Sequence, residues 1–150
     1  MSAVSKVSQA RAVEVWERIS QLHGTVAAVL ERDMLPQAGI TLGWYQVLGE
    51  LKRAPGAMLR FQDLAKGAGL SESGASRRLD QMLKSGLIER VLCPTDRRGV
   101  YAHITDAGVE AYERAHAIFI TSVDHAISTQ LNPDEADAIR TTLARLVGCD

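Results

Sequence analysis

The sequence predicts a mainly α chain that carries a small two- or three-stranded β-wing between long terminal helices. Three observations predict it. Apolar residues recur at three-to-four spacing over 8–34 and again from 109 onward, as amphipathic helices require. Between them, a Gly-containing turn leads into Leu70-Ser71-Glu72-Ser73-Gly74-Ala75-Ser76-Arg77-Arg78-Leu79-Asp80-Gln81-Met82-Leu83-Lys84-Ser85-Gly86, a short helix with one polar face. Two runs of strand length then flank the linker Pro94-Thr95-Asp96-Arg97-Arg98-Gly99.

In the first helix Trp16, Ile19, Leu22, Val26 and Leu30 share a face, and Pro36 and Gly39 are expected to end it. Thr41 caps a second helix in which Leu42, Tyr45, Leu48 and Leu51 align, and Ala54-Pro55-Gly56 stops it. A third, short helix runs from about Phe61 to Gly67 with Phe61, Leu64 and Ala65 inward, followed by the turn Gly67-Ala68-Gly69-Leu70. Ser71 is the expected N-cap of the fourth helix, Ala75, Leu79, Met82 and Leu83 its buried stripe, and Gly86 its C-terminal stop. The opposite face presents Ser73, Ser76, Arg77, Asp80, Gln81 and Lys84. Residues 87–93 and 100–105 read as strands, with Val100, Ala102 and Ile104 alternating against Tyr101, His103 and Thr105, so 94–99 form an exposed hairpin tip. From Thr105-Asp106 a fifth helix follows with Val109, Tyr112, His116, Phe119, Val123 and Ile127 at helical spacing. Asn132-Pro133 opens a last helix bearing Ile139, Leu143 and Leu146.

A chain of 150 residues with 46% hydrophobic content buries one good core, so a single domain over 1–150 is expected. No run of eighteen apolar residues and no leader-like pattern is visible, and a cytoplasmic location is expected. Cys93 and Cys149 show no Cys-x-x-Cys spacing and make no disulfide framework. The net charge of −1 hides an asymmetry. Residues 52–98 hold ten Lys and Arg against five acids, while the flanks hold seven against thirteen. Such a distribution sets one lobe toward phosphates and another toward solvent or a partner subunit.

The fourth helix suits a DNA major groove, which admits one helix when the side chains near its N-terminal half are small or polar. Ser73, Gly74, Ser76 and Arg77 supply that, and Arg78, Gln81 and Lys84 complete the candidate set on this helix. Arginine pairs bidentately with guanine, and hydroxyls position on phosphate. Arg97 and Arg98 on the tip suit an adjacent minor groove, whose negative potential attracts guanidinium. Phosphate repels Asp96, so its expected work is to orient a neighbouring arginine by an ion pair.

Residues 71–83, then Gly86-Leu87-Ile88-Glu89-Arg90, Asp96-Arg97-Arg98 and Ile104-Thr105-Asp106-Ala107-Gly108, resemble the MarR (multiple antibiotic resistance regulator) family of bacterial transcription factors. The element order agrees over nearly the whole chain, and 61–108 is the specific part. The resemblance implies a winged helix-turn-helix over 41–108, a helical dimerisation region over 8–40 and 109–150, and a homodimer reading a pseudo-palindromic double-stranded DNA operator. It also implies a small-molecule inducer held between lobe and dimer region. By matching position it places Ser71, Ser73, Ser76 and Arg77 on the recognition helix and Asp96 and Arg98 on the wing, with Arg97 in support. Gly74-Ala75 is smaller than the apolar pair usual there, and Arg78 stands where an aliphatic residue is common.

Trp16, Trp44 and Tyr45 read first as packing aromatics. The functional alternative is a ligand-binding set of Trp16, His23, Trp44 and Tyr45 near the joint of the first two helices, suited to a phenolic or aromatic-acid ligand. His23, His103, His116 and His125 lack the spacing of a metal-binding helix face, and no metal or other cofactor is expected. Gly69-Leu70-Ser71-Glu72-Ser73 fails the nucleophile-elbow pattern at its fifth position, and no enzyme is expected. The resulting reading is a homodimeric DNA-binding regulator, a repressor released by a small ligand. Its rivals are a winged-helix protein-interaction module and a thiol-based redox sensor acting through Cys93 at the base of the wing.

Overall fold

The computed structural model describes residues 6–67, 72–93 and 95–148. Ser71, the turn residues Ala68, Gly69 and Leu70, and Cys149 lie outside them, as do the side chains of Ala65, Cys93, Arg97 and Arg98.

Helix α1 (Gln9–Ala38) opens on Ser8, whose hydroxyl accepts the Arg11 N–H. Its 30 residues make a rod of roughly 45 Å, of which Leu30, Met34 and Ala38 near the C-terminal end are buried. Pro36 does not end this helix. In the last turn it removes a single backbone donor, and the burial of Met34 and Ala38 on either side outweighs that loss. The stop is Gly39, at φ 74°, whose N–H bonds the Leu35 carbonyl at 3.0 Å.

Helix α2 (Leu42–Arg53) is capped by Thr41, which accepts the Trp44 N–H at 3.2 Å. Leu42, Tyr45, Leu48 and Leu51 are buried together, and Val47, Gly43 and Gly49 are buried too, so α2 is the central helix. After a 3-10 turn at Pro55–Ala57, β1 (Met58–Arg60) adds a third strand. Three residues are too few to show a periodicity, which is why this strand was invisible in the pattern. Helix α3 (Phe61–Gly67) buries Leu64, and α4 (Glu72–Lys84) buries Ala75, Leu79 and Met82 before Gly86 stops the run at φ 73°.

The sheet is antiparallel in the order β1-β3-β2, with β2 at Ile88–Cys93 and β3 at Asp96–Ile104. β3 starts four residues before the expected run, so 96–99 are strand rather than open tip. The register steps from Leu92↔Val100 to Cys93↔Asp96, leaving Arg97, Arg98 and Gly99 as the extra residues of a bulge. Ala102 and Ile104 are buried as the alternation predicts, whereas Val100 is 43% exposed because the wing has by then left the core.

Helix α5 (Asp106–Ser128) begins where two sequence motifs meet. The Thr105 hydroxyl accepts the Gly108 N–H at 3.1 Å and donates to the Gly86 carbonyl at 2.6 Å, while the Thr105 N–H bonds the Leu87 carbonyl at 3.1 Å. A Cβ on Gly108 would lie 2.1 Å from that same Leu87 oxygen. Gly-Leu-Ile-Glu-Arg and Ile-Thr-Asp-Ala-Gly are thus two halves of one junction. Helix α6 (Pro133–Val147) carries a full capping box between Asn132 and Glu135 but buries no residue. The core joins the C-terminal end of α1, the buried face of α2, the inner faces of α3 and α4, the sheet, and Ala111, Tyr112 and Ala115 of α5. Among the described residues no helix is long and apolar enough to cross a membrane.

Candidate nucleic-acid interface

The inner stripe of α4 locks the helix against the core, and that decides what the outer face can offer. Ser73, Ser76, Arg77, Asp80, Gln81 and Lys84 are all exposed, and Gly74 is exposed among them. Asp80, the one acid among these described residues, is countered by Arg90 of β2 at 3.6 Å. Arg90 is itself held over the Phe61 ring, 4.9 Å from its centroid. Arg78 stands apart from the group. It is half-buried, and its guanidinium packs over Gly43 of α2, where a Cβ would come within 2.6 Å of it. One position along a helix rotates a side chain by about 100°, enough to carry Arg78 off the outer face and onto α2.

On the wing, Asp96 forms an ion pair with Arg60 of β1. Arg60 also donates from Nε to the Tyr101 hydroxyl at 2.9 Å and lies 5.6 Å from the Tyr101 ring centroid. The sequence predicts an arginine partner for Asp96 without singling out Arg60. No sequence signal could have done so, because the contact spans 36 residues and depends on a three-residue strand.

The four candidate ligand residues are not brought together. Trp16 is 69% exposed on α1, His23 is exposed on the same helix, and Trp44 is half-buried. Tyr45 instead lines a cavity of about 340 Å³ between α2 and α5, with Arg53, Tyr112, His116 and Phe119 among its walls. The Tyr45 hydroxyl lies 2.8 Å from His116 Nδ1, and its ring stacks on Tyr112 with centroids 5.1 Å apart. Burial, and then the neighbouring Tyr112 hydroxyl, pushes the Tyr45 hydroxyl well above the ordinary tyrosine range, so it stays protonated. Lys52 and Glu113 close the same α2–α5 joint with an ion pair, and Lys52 sits over the Tyr112 ring. In the sequence Tyr112 and His116 are helix-face residues at i, i+4 spacing; their pairing with α2 is tertiary. Among the described residues no three His, Cys, Asp or Glu stand close enough to hold a metal ion.

This arrangement has known counterparts. A family model described as MarR family matches residues 38–99, the stretch from the end of α1 to the wing bulge. The HTH-type transcriptional regulator BilQ of Clostridium symbiosum is 30% identical over 115 residues, covering 77% of this chain and 78% of that protein. A putative transcriptional regulatory protein for the hcr operon of Thauera aromatica is 30% identical over 125 residues, 82% of this chain and 74% of that protein. Among solved structures, Sco3205, a MarR family transcriptional regulator from Streptomyces coelicolor in complex with DNA, superposes with a TM-score of 0.79 at 27% identity. That match covers 95% of this chain and 89% of the other. With the three-stranded wing, the exposed polar face of α4 and these matches in hand, the chain belongs to the MarR family.

Proposed function

We propose that the protein is a homodimeric, sequence-specific DNA-binding transcriptional regulator that acts as a repressor and is released by a small aromatic ligand. The observation that carries DNA binding is the single exposed polar face of α4, held rigid by Ala75, Leu79 and Met82 and flanked by a basic wing. Ser73, Gly74, Ser76, Arg77, Gln81 and Lys84 meet base edges and phosphates in the major groove, and Arg97 and Arg98 enter the adjacent minor groove. Ser71 belongs to this set by its place in the sequence. Arg78 does not, since its guanidinium is spent on α2.

Dimerisation is supported by what a single copy leaves uncovered. Val13, Val15, Trp16 and Leu22 of α1 and Ile139, Leu143 and Leu146 of α6 are exposed apolar residues. Several of them border an apolar groove of about 280 Å³ between the two helices. Segments 8–40 and 109–150 form the dimerisation region and 41–108 the DNA-binding lobe. Two-fold symmetry then sets two α4 helices about 34 Å apart over half-sites of a pseudo-palindrome. Occupying an operator blocks polymerase by exclusion, a mode that needs no surface beyond the DNA-binding one. The ligand site is the α2–α5 cavity, because an occupant there acts on the joint between lobe and dimer helices. It lowers operator affinity by its preference for another lobe spacing and by no more.

The test is an electrophoretic shift with the duplex upstream of the protein's own gene at two salt concentrations and with excess nonspecific competitor. A competitor-resistant, salt-sensitive complex of one dimer is expected. No specific shift on that duplex or on a randomised library refutes the reading and leaves a protein-interaction module.

A further inference from the structure

We propose that Arg60, on the strand preceding the helix-turn-helix, is the residue that positions the wing by gripping β3 on both sides of its bulge. The proposal rests on the DNA-binding reading above and deepens it.

Asp96 is the last residue before the bulge and Tyr101 follows it, and the Arg60 guanidinium engages both, pairing with the Asp96 carboxylate and donating to the Tyr101 hydroxyl. Arg60 and Tyr101 are direct cross-strand partners, so the two side chains leave the sheet on the same face. Gly99 shows how tightly the chain folds over this clamp. A Cβ there would lie 2.8 Å from Tyr101 Cε2 and 3.3 Å from Asp96 Oδ2, and the hydrogen bond from Arg60 prevents that ring from swinging away.

The pair is only partly open to water, with the two side chains 47% and 27% exposed, so salt screens it less than a free surface pair. Arg60 is also bonded directly to Phe61, the first residue of α3. One guanidinium therefore ties the wing to the start of the helix-turn-helix and pairs with the acid at its base. In this role Arg60 fixes the course of β3 from Asp96 to Tyr101 and does not itself contact DNA.

The experiment uses the full chain and the tightest duplex selected from a randomised library, with affinity followed by fluorescence anisotropy across a salt series. R60A and D96A are each expected to weaken binding on the order of tenfold, with the double variant no worse than either single one. The swapped pair R60D/D96R should recover most of the loss, and the log–log salt slope should stay at the wild-type value. If Arg60 instead contacts phosphate, R60A lowers that slope by about 0.9 and D96A tightens binding. Either result, or losses that simply add, overturns the proposal.

Amide exchange over residues 95–101 supplies a readout that needs no DNA. It should quicken in R60A and D96A, return in the swap, and leave α2 and α5 unchanged; unaltered exchange in the single variants also overturns the clamp. Should wild-type protein bind no duplex while the exchange result holds, the DNA-binding reading fails and the wing-ordering role of Arg60 stands.

Discussion

Replacing Gly108 with alanine tests the junction between sheet and α5 by the sign of a stability change. Helix propensity alone favours the change, since alanine gains up to about 1 kcal/mol over glycine in a helix. The structure opposes it. The new methyl would sit 2.1 Å from the Leu87 carbonyl oxygen and 2.8 Å from Ile104 Cγ1. Ordinary C···O contacts lie at about 3.3 Å or more, so α5 or the Leu87 backbone must move by about 1 Å. That same carbonyl accepts the Thr105 N–H, and the Gly108 N–H is bonded to the Thr105 hydroxyl, so the movement strains two hydrogen bonds as well. Overpacking costs about 1–3 kcal/mol and each weakened hydrogen bond about 1 kcal/mol, which leaves a net destabilisation of roughly 2–4 kcal/mol. At about 2–4 °C per kcal/mol for a chain of this size, Tm falls by roughly 5–15 °C. Circular dichroism melts at one fixed protein concentration measure it, so that any self-association acts equally on both proteins. A Tm equal to or above that of the wild type would refute the reasoning.

Arg77→Ala removes an exposed side chain, so Tm should stay put while duplex affinity drops by about 1–3 kcal/mol, read by anisotropy beside a melt of the same sample. Tyr45→Phe takes the hydroxyl from His116 Nδ1 and should cost about 1 kcal/mol in urea unfolding. Asn132→Ala removes a capping box from a helix that buries nothing in one copy, so about 1 kcal/mol of stability should be lost, and the dimer proposed above should weaken in sedimentation. Hydrogen bonding and charge from Lys52 hold Glu113 below its ordinary 4.5, so its contribution is present above that value and is lost as pH falls through the folded-state pKa. Glu113→Gln should therefore flatten the acid limb of a stability–pH profile while leaving the neutral and alkaline range unchanged in shape.

Most of the fold was legible because its elements are long and amphipathic. The α4 stripe of Ala75, Leu79 and Met82, the α2 stripe from Leu42 to Leu51 and the cap at Thr41 are local patterns that agree with the global packing, and the cap at Asn132 is legible from its own four residues. The errors share one cause. The intrinsic cost of Pro36 predicts a helix end, but burial of its neighbours outweighs that cost; the turn-forming types at 96–99 predict an open tip, but pairing of Asp96 with Cys93 carries β3 across them as a bulge. Residue type and nearness in sequence group Trp16, His23, Trp44 and Tyr45, but α1 turns Trp16 and His23 outward.

What the sequence determined by itself was the succession of helices, the polar face of α4, and the motifs that place the chain in its family, all of which depend on residues close together in the chain. Tertiary structure alone decided that Arg78 turns onto α2, that Arg60 reaches Asp96, and that Tyr45 faces Tyr112 and His116. Such contacts join residues between 35 and 71 positions apart. Helical and strand periods specify which face a side chain occupies, but its partner is set only when separate elements pack.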